Sequence, residues 1–134
     1  MTLNDWIVSG GKYMSRATSP DLTDEVKHNA AILCGKVNAA LDEMGYTGSR
    51  TISSGFRPST VNLVTPGAAP KSGHMIGKAV DFADVTGKLW SLCASKPDIL
   101  RRYGLFLEDR AATPTWCHLD YIDRPDRPSR VFQP

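Results

Sequence analysis

Apolar residues recur every three or four positions between Leu22 and Met44, through Val26, Ala30, Leu33, Val37 and Leu41, the spacing of one buried stripe on an amphipathic helix. Pro20 stands just before its first turn and Gly45 just after its last, which sets the expected ends. Residues 1–20 form an N-terminal segment without a regular period, and the Gly10–Gly11 pair interrupts any early element.

Beyond the helix the pattern shortens. TISS, residues 51–54, predicts a short strand running into GFRP, and VNLVTPGAAP, residues 61–70, predicts a loop rich in Pro, Gly and Ala. Irregular stretches of that length inside a compact domain tend to serve function. AVDFA, residues 79–83, has a period of two: Val80 and Phe82 point to one face, Ala79, Asp81 and Ala83 to the other. VTGKLWSLCASKPDILRRYG, residues 85–104, predicts a helix broken before Pro97 and a second turn ending at Gly104. GLFLED and WCHLDYI predict two strands of an antiparallel pair, joined by six or seven residues. The tail, residues 124–134, carries three prolines and is expected to lie extended on the surface without forming a new element. Helices set apart from a small, mostly antiparallel sheet define an α+β domain.

Composition narrows the function classes. At 134 residues the chain is expected to be a single domain, 1–134, large enough to bury a core without staples. Sixteen basic and fourteen acidic residues leave a net charge of +2 with no long run of one sign, so nucleic acid is not an expected partner. No stretch is long and apolar enough to insert in a membrane, and MTLNDWIVSGGKYM lacks the layout of a secretory signal, so synthesis in the cytoplasm is expected. Cys34, Cys93 and Cys117 are odd in number and widely spaced, which argues against a disulfide framework and a thiolate zinc knuckle.

The chemistry concentrates in KSGHMIGKAVDFAD, residues 71–84, and in WCHLDYI. Asp81 lies between two alanines on its strand face, which leaves room beside the carboxylate for an ion. On the second strand Trp116, His118, Asp120 and Ile122 share one face, with His118 and Asp120 roughly 7 Å apart along the strand. His74, Asp81 and His118 supply two imidazoles and a carboxylate, a set that suits Zn²⁺ and leaves its fourth position open. His28, between Lys27 and Asn29 on the polar side of the long helix, reads as a surface residue. Cys117 points away from His118 and reads as a small buried hydrophobe, and Trp116 as packing or as a stacking platform.

Ser-x-His-x-x-Gly-x-Ala-x-Asp, followed by Trp-x-His-x-Asp and preceded by SSGFRP, resembles the zinc D-alanyl-D-alanine carboxypeptidase and L-alanyl-D-glutamate endopeptidase family, whose fold is shared with the Hedgehog signalling domain. The matching motifs span residues 53–121. The resemblance implies zinc on His74, Asp81 and His118, a substrate-binding role for Arg57, and an orienting role behind the metal ligands for Ser72. It implies a zinc peptidase acting on peptidoglycan stem peptides as a monomer, of the kind found among phage and prophage lysis proteins, which reaches the cell wall after release or with the virion.

One position departs from the family pattern. The general base of the family stands three residues before the late histidine, where this chain has Thr115. A hydroxyl of ordinary pKa cannot serve as that base at neutral pH. Glu108, Asp120 and Asp109 are the candidates, in that order; Glu108 shares the His118 face if it pairs with Trp116, and a register shifted by one would favour Asp109. The alternative is a zinc-stabilised module of the same fold that binds cell wall or builds a virion without hydrolysis.

Overall fold

The computed structural model describes residues 1–125 and 127–134. Helix α1 (Leu3–Ile7) opens the chain, capped by Thr2, whose hydroxyl accepts from Asp5 N while the Asp5 carboxylate accepts from Thr2 N. A 3₁₀ turn follows at Met14–Thr18. The long helix α2 covers Asp24–Glu43, starting two residues later than its apolar stripe because Thr23 takes the N-cap and accepts from Val26 N. Leu22 is buried all the same.

Five strands make one sheet in the order β1 (Ile52–Ser54), β2 (Ala79–Ala83), β4 (Trp116–Asp120), β3 (Phe106–Glu108) and β5 (Val131–Phe132). The first three neighbouring pairs are antiparallel and β3–β5 is parallel, so the domain is α+β with a mostly antiparallel sheet, as the sequence leads one to expect. Val80, Phe82, Cys117, Leu119 and Leu107 are fully buried, and they join the apolar stripe of α2 in one hydrophobic cluster. The alternation of the strands therefore gives one face to the core and leaves the other for chemistry.

Two expectations need correction. Residues 61–70 are not all loop: helix α3 covers Ser59–Val64. It is short, with Leu63 and Val64 exposed, so it carries no apolar stripe by which a periodicity search could find it. The tail does form an element. Val131 pairs with Leu107 and Phe132 with Glu108, and Phe132 is buried; its prolines flank this strand and do not interrupt the ladder.

The N-terminal segment also packs more deeply than its lack of period suggests. Trp6 is fully buried, its ring lies 5.7 Å from Phe56, and its Nε1 donates to Ala79 O at 2.9 Å. Helices α4 (Lys88–Ala94) and α5 (Pro97–Arg102) follow β2, broken at Pro97 as the sequence predicts. Between β3 and β4, Arg110 donates to the carbonyls of Pro114, Trp116 and Asp84 and so fixes the loop that delivers β4.

The turn before β2 depends on Gly77. Its φ is +82°, and a Cβ there would stand 2.3 Å from Val26 O of α2. Gly77→Ala is expected to cost at least about 2 kcal/mol through the left-handed backbone and the clash together. Denaturant unfolding checks this; an unchanged midpoint would show that the turn relaxes without penalty.

Candidate metal centre

The antiparallel register of β2 and β4 sets Asp81 directly opposite His118 and Ala79 opposite Asp120. Asp81 Oδ1 lies 2.7 Å from His118 Nδ1. Ala79 is fully buried. His74 arrives from the turn before β2, where Met75 N donates to Ser72 O and Lys78 N to Gly73 O. Its Nε2 is 3.2 Å from Asp81 Oδ2. The ligand atoms of His74, Asp81 and His118 all lie within 4.8 Å of one another.

Each imidazole is held by its second nitrogen. His74 Nδ1 donates to Gly55 O at 2.9 Å, which leaves Nε2 as the free ligand atom. His118 Nε2 meets Asp120 Oδ2 at 2.9 Å, which leaves Nδ1 facing Asp81. The donor set thus fits a divalent ion of zinc's preferences: two nitrogens with fixed tautomers and one carboxylate.

The other expected residues gather here. The Ser72 hydroxyl accepts from His74 N at 3.3 Å, so it steadies the backbone that carries the imidazole. Arg57 Nη2 is 3.9 Å from Asp81 Oδ2, and the guanidinium is positioned by Ser54 Oγ and Asn62 Oδ1. Asn62 escaped the sequence reading because it sits on α3, and only the fold shows it buried with its amide bonded to Ala69 O.

Glu108 also reaches the cluster, by a different register from the one expected. Phe106 pairs with Asp120 and Leu107 with Leu119, so Glu108 falls level with His118 and not with Trp116. A shift of two residues keeps the same face. Glu108 Oε2 lies 3.9 Å from His118 Nδ1. Asp109 points elsewhere, accepting from Ala111 N and Gln133 Nε2. Thr115 is exposed and gives only its carbonyl, to Asp84 N. His28 is exposed and Cys117 fully buried, as expected.

Burial and charge set the protonation states. Burial alone would lower the pKa of His118, but hydrogen bonds to Asp120 and Asp81 outweigh it and raise the imidazole to about 10. Burial would raise Asp81, but His74 and His118 hold its carboxyl well below the usual range. Glu108 is pushed up, first by burial and then by the charges of Asp81 and Asp120, with His118 opposing.

In the metal-free chain His118 therefore keeps a proton on Nδ1 at neutral pH, and a metal must displace it. Zinc uptake at pH 7 to 8 is expected to release about one proton per ion, with affinity rising as pH approaches 10. Calorimetry in buffers of different ionisation heat reads this directly; uptake without proton release would show that His118 Nδ1 is already unprotonated in the metal-free chain.

The cluster lines a cleft of about 800 Å³, together with Arg57, Lys71, the 65–69 stretch, Trp116, Arg124 and Phe132. Residues 12–120 of the chain match the family model described as Peptidase M15. The chain belongs to the M15 peptidase family. No curated protein and no solved structure gives a match. The matched span of this M15 peptidase holds every expected site residue, and its helices and small sheet agree with the Hedgehog-like fold of the family. The family is zinc-dependent, in keeping with the His74, Asp81 and His118 donor set.

Proposed function

We propose that this M15 peptidase is a zinc-dependent hydrolase of peptidoglycan stem peptides, with His74, Asp81 and His118 holding the ion and Glu108 as general base. The observation that carries the proposal is the buried three-ligand cluster with a fourth, carboxylate side chain 3.9 Å from His118. Zinc, when bound, supplies Lewis-acid chemistry that makes water acidic at neutral pH and polarises a carbonyl. Glu108 takes the proton of the attacking water and returns it to the leaving amine; in the metal-free chain burial raises its pKa. Arg57 retains N–H groups beyond those given to Ser54 and Asn62. They bind a substrate carboxylate or the developing oxyanion. Asp120 keeps the His118 ring in place and takes no proton from substrate.

The setting follows the substrate: a monomer that acts on the cell wall after release from the cytoplasm in phage or prophage lysis, or from a virion, with no nucleic-acid partner. Purified protein is expected to release free amino groups from peptidoglycan, and a chelator to stop it. Arg57→Ala is expected to lower turnover by about 10² to 10³, the worth of one oxyanion donor, while zinc stays bound. Tight binding to cell wall without turnover would favour the non-catalytic module, the reading that the exposed Thr115 supports.

A further inference from the structure

Arg124 lies beyond the matched span and on none of the motifs above. Its Nη1 donates to Asp120 Oδ1 at 2.5 Å and its Nη2 to Asp120 Oδ2 at 2.9 Å, a two-pronged grip that fixes the plane of a carboxylate. That carboxylate has a side chain only 1% exposed. It also accepts from Ile122 N on Oδ1 and meets His118 Nε2 on Oδ2. The guanidinium in turn lies 3.5 Å from the ring centroid of Phe132, whose edge meets the His118 ring at 5.9 Å. Phe132 is seated by strand β5 through Asp109 N donating to Phe132 O at 2.8 Å.

We infer that Arg124 is a positioning residue for the metal centre, acting through Asp120 on His118, and that β5 belongs to the site because Phe132 supports the Arg124 guanidinium. The physical reason is rotational freedom. Asp120 has Oδ2 on the imidazole and a single backbone N–H, at 3.2 Å, on Oδ1; without the Arg124 fork that one longer bond is left to stop the carboxylate turning and releasing the ring orientation that aims Nδ1 at the ion. A flat fork over an aromatic face provides that anchor; a lysine, with one compact charge, cannot grip both oxygens.

This inference rests on zinc being held by His118, and metal affinity tests it apart from catalysis. Zinc binding is measured by competition with a chelator, alongside the visible spectrum of the Co²⁺ form, for wild type, Arg124→Met and Arg124→Lys. Arg124→Met keeps apolar bulk over Phe132 and is expected to weaken zinc roughly 10-fold or more and to alter the Co²⁺ spectrum. Arg124→Lys should fall between the two. Arg101→Ala removes a surface bond to Pro128 O and an ion pair with Asp98, while Asp120, Arg124 and the β3–β5 ladder that seats Phe132 keep their partners, and should leave both readouts unchanged. On a stem-peptide substrate Arg124→Met should lower kcat with KM held.

Zinc affinity within about twofold of wild type and an unchanged Co²⁺ spectrum in Arg124→Met would overturn the inference, even if the wild type proves an active zinc peptidase. Should that variant fail to fold, the Lys variant decides by the same criterion. A wild type that takes up no zinc would overturn the metal reading and this one together.

Discussion

His118→Ala and His74→Ala are each expected to purify without zinc and without peptidase activity. Three protein ligands are the minimum of a catalytic zinc site, and two of any set leave the ion weakly held. The two variants should differ in their side effects. Loss of His74 leaves Gly55 O without its ring donor, in a segment also held by Ser9 Oγ on Gly55 N and by Trp6 O on Phe56 N. Loss of His118 removes a partner from both Asp81 and Asp120, though Asp81 keeps His74 nearby and Asp120 keeps Arg124. Both variants should therefore remain folded, the second with the larger loss of stability in the metal-free state. Metal content after dialysis, read beside circular dichroism, separates ligand loss from unfolding. Full zinc retention in both would dismiss this cluster as the metal centre. Asp81→Asn should weaken zinc as well, since the amide removes the one negative ligand charge.

Glu108→Gln should keep fold and zinc while turnover falls by about 10² to 10⁴, the usual worth of a positioned general base. The protonation of Glu108 adds a pH signature. A base is competent only when deprotonated, so wild-type activity should decline as pH falls through the Glu108 midpoint of the zinc-loaded site, and the glutamine variant should lose that acid limb. Asp120→Asn should cost less, on the order of 10 to 100-fold, through the orientation of His118. Thr115→Glu should not rescue Glu108→Gln, because Thr115 is exposed and does not border the cleft. Equal turnover in Glu108→Gln and wild type would remove Glu108 from the mechanism. A rescue by Thr115→Glu would place the natural base position there after all.

The α2 stripe from Leu22 to Leu41 and the alternation of Val80 and Phe82 against Ala79 and Asp81 were legible in the chain, because helix and strand periods are local properties of the backbone. The same local rule separated His118 and Asp120 from Cys117 and Leu119 before any contact was known. Motif spacing paired His74, Asp81 and His118 as a donor set. What spacing could not supply was register and long-range partnership. Whether Glu108 stood level with Trp116 or with His118 depended on a pairing that either strand allowed alone; both registers bury Leu107 and Leu119, and only the observed ladder, Phe106 with Asp120 and Leu107 with Leu119, tells them apart. The ring nitrogen that each histidine offers was set by Gly55 O, 19 residues from His74, and by Asp120. Asn62 on α3, and Phe132 on a strand two residues long, carried no period at all. Tertiary structure alone placed them, since a short element takes its conformation from the surface it packs on and not from a repeating pattern within itself.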